Sequence, residues 1–258
     1  MAQTLGLDPK GKAALVTGGN RGIGEAFVRA LRDAGASKVY VGSRDPAAAA
    51  HLVAEDPART VAIKLDVTKQ DQIDAAAKAC GDVRILVNNA GMFHNVTLMN
   101  APDMSAARDE MEINYFGVVA MTRAFAPAMI AAGEGSVVNV LSAGGIAASP
   151  VMGGYSPSKF AARAASMCLR AELALKGVHV CALIVGSVDT RMATHVQGKK
   201  ERPEDIAAVG LKAIRRAIDE VDTDVMAVEV RASLARDPKG LERQMAKLLG
   251  LSTISTGR

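Results

Sequence analysis

Apolar residues along this chain come in short continuous runs separated by longer stretches of helical period. Ala13-Ala14-Leu15-Val16, within Lys12 to Thr17, is the first run. Others follow at Lys38 to Gly42, Val61 to Val67, Val83 to Val87, Val137 to Leu141, His179 to Val185 and Val225 to Val230. Such runs, bounded by turn residues, are what strands buried on both faces look like. Between them the pattern predicts helices over Glu25 to Ala34, Lys69 to Cys80, Pro203 to Asp219 and Leu241 to Leu249. A long helical stretch runs from about Met104 to Ala132, broken near Asn114. Asp45 is placed as an N-cap before the Ala-rich stretch Ala47 to Ala50, and Asp237-Pro238-Lys239-Gly240 as a turn. Strand and helix alternate, so the expected fold is α/β: a doubly wound, seven-stranded parallel sheet flanked by helices on both faces. No linker or repeat divides residues 1–258, which predicts a single domain.

Composition agrees with a large aliphatic core. Hydrophobic residues make up 49% of the 258, while aromatics are 3% and Trp is absent, so Ala, Val, Leu, Ile and Met must fill the interior. The net charge of +4 is modest and no dense Lys/Arg block is interleaved with aromatics, which argues against a nucleic-acid partner. Lys199-Lys200 is followed by Glu201 and reads as a solvated loop. Cys80, Cys168 and Cys181 are odd in number and lack metal-ligand spacing, so reduced thiols and no metal are expected. The first twelve residues hold no apolar signal core. No stretch approaches the ~20 apolar residues that span a membrane. The expectation is a soluble, cytoplasmic protein with no membrane partner.

Chemistry enters with the first turn. Gly18-Gly19-Asn20-Arg21-Gly22-Ile23-Gly24 joins the first strand to the first helix. Glycines let backbone N–H groups approach a pyrophosphate, and the helix offers that anion its positive end. A nucleoside-triphosphatase loop would end in Gly-Lys-Ser/Thr, but Glu25 follows Gly24. Ser43-Arg44 comes at the end of the second strand, with Arg44 20 residues after Gly24 where NAD-preferring folds place an acid. A guanidinium there binds a 2′-phosphate, with Arg21 as a second cation, so NADP (NADPH) is expected over NAD. The plainer alternative makes Arg44 an ordinary surface residue. Further on, Tyr155 and Lys159 are four apart on a predicted helix and share a face. A cation beside a phenol lowers its pKa from about 10, as a general acid/base requires. Ser142, thirteen residues before Tyr155, ends a strand and offers a hydroxyl to a substrate oxygen.

Thr17 to Gly24, Asp66-Val67, Asn88-Asn89-Ala90-Gly91, Asn114, Ser142 and Tyr155 with Lys159, in this order, resemble the short-chain dehydrogenase/reductase family over about residues 10 to 190. The resemblance implies a Rossmann-type fold and a catalytic set of Asn114, Ser142, Tyr155 and Lys159. Gly18, Gly22 and Gly24, with Asn20, Arg21 and Ile23, would cradle the pyrophosphate. Asp66 and Val67 would meet the adenine, and Asn89, Ala90 and Gly91 the nicotinamide ribose. Asn114 would hold a water in a proton relay through Lys159. Asn114 also reads as a helix-kink residue, and Asp66 as the N-cap of a helix beginning at Thr68. The resemblance makes a homodimer or homotetramer the expected assembly.

The family's Pro-Gly after the sixth strand is here Val185-Gly186, although Gly186, Val188 and Thr190 still fit the nicotinamide contact. Arg191 to Arg202 leaves only a short substrate lid, before a C-terminal part at 203–258. The expected pocket is open and shallow, lined by Met92, Phe93, His94, Ser142, Gly144, Ile146, Met152, Val188, Met192 and His195. His94 and His195 are placed at its rim. That lining suits a small to medium, mostly apolar ketone or secondary alcohol. The rival readings are a non-catalytic NADP sensor and a carrier-bound 3-oxoacyl reductase.

Overall fold

In the computed structural model, which describes residues 6–194 and 196–254, the strands are β1 Ala13–Thr17, β2 Lys38–Ser43, β3 Thr60–Lys64, β4 Val83–Asn88, β5 Gly135–Val140, β6 Val178–Ile184 and β7 Glu220–Asp222. They form one sheet in the order β3-β2-β1-β4-β5-β6-β7, and every pairing is parallel. The order reverses between β1 and β4, where doubly wound folds open a ligand crevice. The helices are α1 Gly22–Asp33, α2 Ala50–Glu55, α3 Gln70–Ala79, α4 Ser105–Met111, α5 Gly117–Ala132, α6 Tyr155–Leu173, α7 Pro203–Arg216, α8 Val225–Arg236 and α9 Pro238–Ile254.

Each strand is apolar throughout because alternate side chains serve opposite faces. Ala14 and Val16 of β1 join Val39, Val41, Ile85 and Val87 under Phe27 and Leu31 of α1 and Ile206 and Ile214 of α7. Ala13 and Leu15 join Tyr40, Leu86, Val137 and Val180 under Ile73 of α3 and Met121, Phe125 and Met129 of α5. Phe27 and Phe125 are almost wholly buried, each contributing about 1.5–3 kcal/mol relative to exposure. Between β4, β5 and α6 runs a buried polar ladder. Asn88 Nδ2 donates to Asn139 Oδ1 (2.9 Å) and Asn139 Nδ2 to Ser166 Oγ (2.9 Å).

The structure corrects the sequence reading at the C-terminal end. Val225 to Val230 is not the seventh strand but the start of α8, and β7 is the short segment just before it. The reason is local: Asp224 accepts a hydrogen bond from Ala227 N (3.0 Å), an N-cap that commits the valines to a helix. Arg163 and Arg231 hold Glu220, and Arg231 also holds Asp222, at the sheet edge. The expected turn at Asp237 to Gly240 is instead largely the first turn of α9.

A second correction concerns length. Ser105–Ala132 is a continuous helical run of 28 residues with mean hydropathy 1.4 in its most apolar part, long and apolar enough to cross a membrane. Met121, Phe125 and Met129 along it are buried against the sheet, so it acts here as a core helix.

Candidate functional site

The site grows from the ends of β1, β4 and β5. Just past β1, Gly18 (φ 60°) and Gly22 (φ 55°) take the left-handed backbone that side chains disfavour. A Cβ on Gly24 would collide with Gly18 O and stand 2.5 Å from Asn89 Nδ2. Asn89 Nδ2 donates to Thr17 O (3.0 Å) and Gly18 O (3.1 Å), while Thr17 Oγ1 accepts from Asn89 N (2.9 Å) and Ala90 N (3.0 Å). Thus β4's end braces the glycine turn. No side chain caps the N-terminus of α1, which leaves that end open to an anion. Asn20 and Ile23 are half-buried in the same turn. Thr190 reaches over it, its Cγ2 3.2 Å from where a Cβ on Gly22 would lie. Close backbone approach at Gly18 and Gly24 and an uncapped helix start fit a dinucleotide pyrophosphate.

Arg21 in the glycine turn and Arg44 just past β2 are exposed, and neither guanidinium has a hydrogen-bond or ion-pair partner among the described residues. Asp45 is occupied: its Oδ1 accepts from Ala47 N (3.0 Å) as the N-cap of a short 3₁₀ turn. Ser43 is buried, its Oγ donating to Asp45 O (2.6 Å). Asp66 lies two residues beyond β3, and its Oδ1 accepts from Thr68 N (3.0 Å) and Thr68 Oγ1 (2.8 Å). Helix α3 starts only at Gln70, so Asp66 closes a turn ahead of that helix instead of capping it. Val67 is buried, 2.9 Å from a Cβ placed on Gly117.

Tyr155, Lys159, Asn114 and Gly91 converge. Tyr155 opens α6, and Lys159 Nζ stands 5.6 Å from the centre of its ring. That ammonium donates to Val140 O (2.9 Å) at the end of β5. A Cβ on Gly91 would be 3.2 Å from Asn114 Oδ1 and 3.8 Å from Lys159 Nζ. Asn114 occupies a single turn of π-helix between α4 and α5. Its Oδ1 accepts from Met92 N, and its Nδ2 donates to Met92 O and Ser158 Oγ, all at 2.9 Å. The helix-kink reading of Asn114 is the one these contacts show: a helix irregularity that ties the loop after β4 to α6. Ser142 Oγ accepts from Gly144 N (3.0 Å) just past β5.

The electrostatics differ from expectation. Burial pushes the Tyr155 phenol up to about 12, a hydrogen bond with Ser142 draws it down, and Glu110 raises it. Lys159 is itself pushed down to about 8 by burial. The cation is expected to win; burial wins instead, with Lys159 buried and Tyr155 half-buried.

The expected lining is only partly assembled. Phe93 meets Tyr155 edge-on, ring centres 5.0 Å apart. A methyl on Gly144 would stand 3.2 Å from Met152 Sδ and 3.4 Å from Ser142 Oγ. Met92 is half-buried, Met192 is exposed, and Val188 is buried. His94 is partly exposed, its Nε2 3.4 Å from Asp109 Oδ2. Ile146 instead packs in the core with Leu141, Ala162, Ile184 and Ala227. His195 lies outside the described residues. The segment Arg191 to Arg202, expected as a substrate lid, is closed at its base by a bridge between Val188 and Glu201, with Asp189 N donating to Glu201 O (2.8 Å). A separate groove of about 560 Å³ between α3 and α5 takes in Val67 and Phe116 but none of the catalytic candidates.

Two residues escaped the sequence reading. Asp224 Oδ2 accepts from Gly186 N (2.6 Å) while the same carboxylate caps α8. Glu110, buried in α4, accepts from His94 N through Oε1 (2.7 Å). Asp224 was legible only as a helix cap, had α8 been recognised; Glu110 carried no signal. Among the described residues no three His, Cys, Asp or Glu side chains group to hold a metal.

Known proteins resemble this chain in sequence and fold. The short chain dehydrogenase family model matches residues 12–201. A 3-alpha-(or 20-beta)-hydroxysteroid dehydrogenase of Mycobacterium tuberculosis is 34% identical over 239 residues, 90% of this chain and 86% of that protein. A short chain dehydrogenase from Burkholderia cenocepacia, solved in complex with NADP, superposes with TM-score 0.87 at 36% identity, covering 93% of this chain and 99% of the other. A 3-ketoacyl-(acyl-carrier-protein) reductase from Brucella melitensis complexed with NADH superposes with TM-score 0.77 at 27% identity, covering 83% and 98%.

Proposed function

Because the chain belongs to the short-chain dehydrogenase family of oxidoreductases, we propose that it uses NADP(H) to interconvert an apolar ketone and its secondary alcohol, with Tyr155 as general acid/base. The observation behind this reading is the convergence of Tyr155, Lys159, Asn114 and Gly91 beside the end of β5. Gly18, Gly22, Gly24 and the start of α1 would hold the pyrophosphate, and Asn89 to Gly91 with Lys159 the nicotinamide ribose. When bound, the nicotinamide supplies or accepts the hydride. Tyr155 and Ser142 donate hydrogen bonds to the substrate oxygen, and those bonds strengthen as negative charge grows on it. Each such donor contributes typically about 3 kcal/mol to the transition state. Tyr155 then gives up its proton. With its phenol up at about 12, Tyr155 is protonated near neutral pH and so suits the reductive direction. Lys159, at about 8, is still mostly charged there and steadies the phenolate that remains.

NADP over NAD is supported by Arg21 and Arg44, which have no partner among the described residues, by the engagement of Asp45 in a cap, and by the NADP complex of the Burkholderia relative. An apolar substrate is supported by Phe93 and Met152 near the reactive groups and by the hydroxysteroid dehydrogenase relative. Tyr155→Phe should lower NADPH-dependent ketone reduction at least a thousand-fold, on the order expected when a general acid and oxyanion donor is lost. NADPH affinity by fluorescence titration should stay within about twofold, as the phenol adds little to ground-state binding. Retained turnover would contradict the assignment.

A further inference from the structure

Glu110 is the buried carboxyl that the chemistry above leaves unused. It lies in α4 at 1% exposure. Its Oε1 accepts from His94 N (2.7 Å), but its Oε2 is buried without a hydrogen-bond partner among the described residues. A Cβ built on Gly154 would stand 2.5 Å from that Oε2 and 2.6 Å from Ala107 Cα. The carboxyl is therefore packed directly against the residue that precedes Tyr155. Helix α6 has no acid in its own first turn and no side-chain cap. Glu110 sets a negative charge beside that end from a different helix, where the helix dipole favours it. Burying a half-satisfied carboxylate is unfavourable, and a packed apolar side chain there would be neutral or stabilising. Packing alone does not account for Glu110.

We propose that Glu110 is a positioning residue whose charge, set against the start of α6, holds Tyr155 in its protonated, proton-donating form. The inference rests on Tyr155 being the acid/base. Lys159 of α6 stands over the phenol ring, Glu110 of α4 lies against Gly154 just before Tyr155, and the Ser142 hydroxyl comes from the loop after β5. The titratable groups facing Glu110 are His94 from the loop after β4 and Asp109 on its own helix. Burial raises the Glu110 carboxyl above its ordinary value, the His94 backbone bond lowers it, and Asp109 adds to the rise. Ordinary carboxyls ionise far below ordinary phenols, and the inference takes Glu110 as the anion when Tyr155 loses its proton. A second negative charge nearby is then disfavoured, and the phenol keeps its proton to higher pH.

The test is the pH profile of Glu110→Gln, which keeps the shape and an acceptor for His94 N but removes the charge. The alkaline limb of ketone reduction should move down by about one pH unit, and the acid limb of alcohol oxidation should follow. An ultraviolet tyrosinate titration without nucleotide, with Tyr155→Phe subtracted to remove Tyr40 and Tyr115, should show the same downward shift independently of turnover. Glu110→Asp keeps the charge and should keep the parent limbs. Glu110→Met is a second neutral variant, read in the same way if Glu110→Gln does not fold. A folded neutral variant whose limbs and titration superpose on the parent overturns the inference. So does failure of both neutral variants to fold, which would make Glu110 purely structural. If Tyr155→Phe retains turnover, the site reading itself has failed; if it is inactive while Glu110→Gln leaves the limbs unmoved, only the role of Glu110 has.

Discussion

Arg44 shows how far one residue can be read before its surroundings are known. From the sequence it stood where an acid would select NAD, next to Asp45 read as an N-cap. The structure gives the guanidinium no partner among the described residues and engages Asp45 at Ala47 N. Arg44→Asp should shift the ratio of kcat/KM for NADPH over NADH by at least tenfold toward NADH, because a phosphate-binding cation is replaced by a repelling anion. Steady-state kinetics with both nucleotides measure it, and an unchanged ratio would remove Arg44 from the 2′-phosphate site. Tyr155 shows the opposite limit. Its proximity to Lys159 followed from helical spacing, but the direction of its pKa did not. That depends on burial and on Glu110, which is 45 residues away in the chain.

Elements were legible where periodicity and turn residues agreed. Helix α1 after the glycine turn and α7 after Pro203 both begin near their signals. Helix α8 was missed because Val225, Val228 and Val230 favour strands, whereas only Ala227 of its first turns is buried and Asp224 dictates the state. The same Asp224 also holds Gly186, in the loop that lacks the family's proline. Asp224→Ala should lose the cap at a cost of about 1 kcal/mol. For a domain of this size that lowers Tm by roughly 2–4 °C. Asp224→Ser keeps a capping oxygen but has no second oxygen for Gly186. It should recover most of the Tm while KM for the nucleotide stays raised by roughly three- to tenfold, the size of one hydrogen bond. A serine variant with the parent KM would show that Gly186 is held by other means.

At the scale of the whole molecule, charge pairs on the rim add their own pH dependence to that of the buried titratable groups. Hydrogen bonds from Arg29 and Arg32 of α1 pull the Glu55 carboxyl of α2 down from 4.5 to about 2. A folded-state pKa below the unfolded one gives stability that is complete above about 4.5 and is lost as pH falls toward 2. Glu55 is partly exposed, so solvent screening keeps the pair to less than about 1 kcal/mol. Thermal melts of Glu55→Gln should fall slightly below the parent at pH 6 and merge with it near pH 2. Curves that stay equally separated across that range would contradict the assignment.

The chain alone determined the alternation of buried strands and helices, the glycine turn, and the order of Asn114, Ser142, Tyr155 and Lys159, because these depend on neighbours a few residues apart. It was silent where distant segments meet. The crossing of α4 and α6 put a carboxyl beside Gly154, the return of α8 gave Gly186 its partner, and the packing of the long α4–α5 run against the sheet made a membrane-length stretch into a core helix. Those outcomes are set by three-dimensional contacts and by the water they exclude, and no local pattern encodes either.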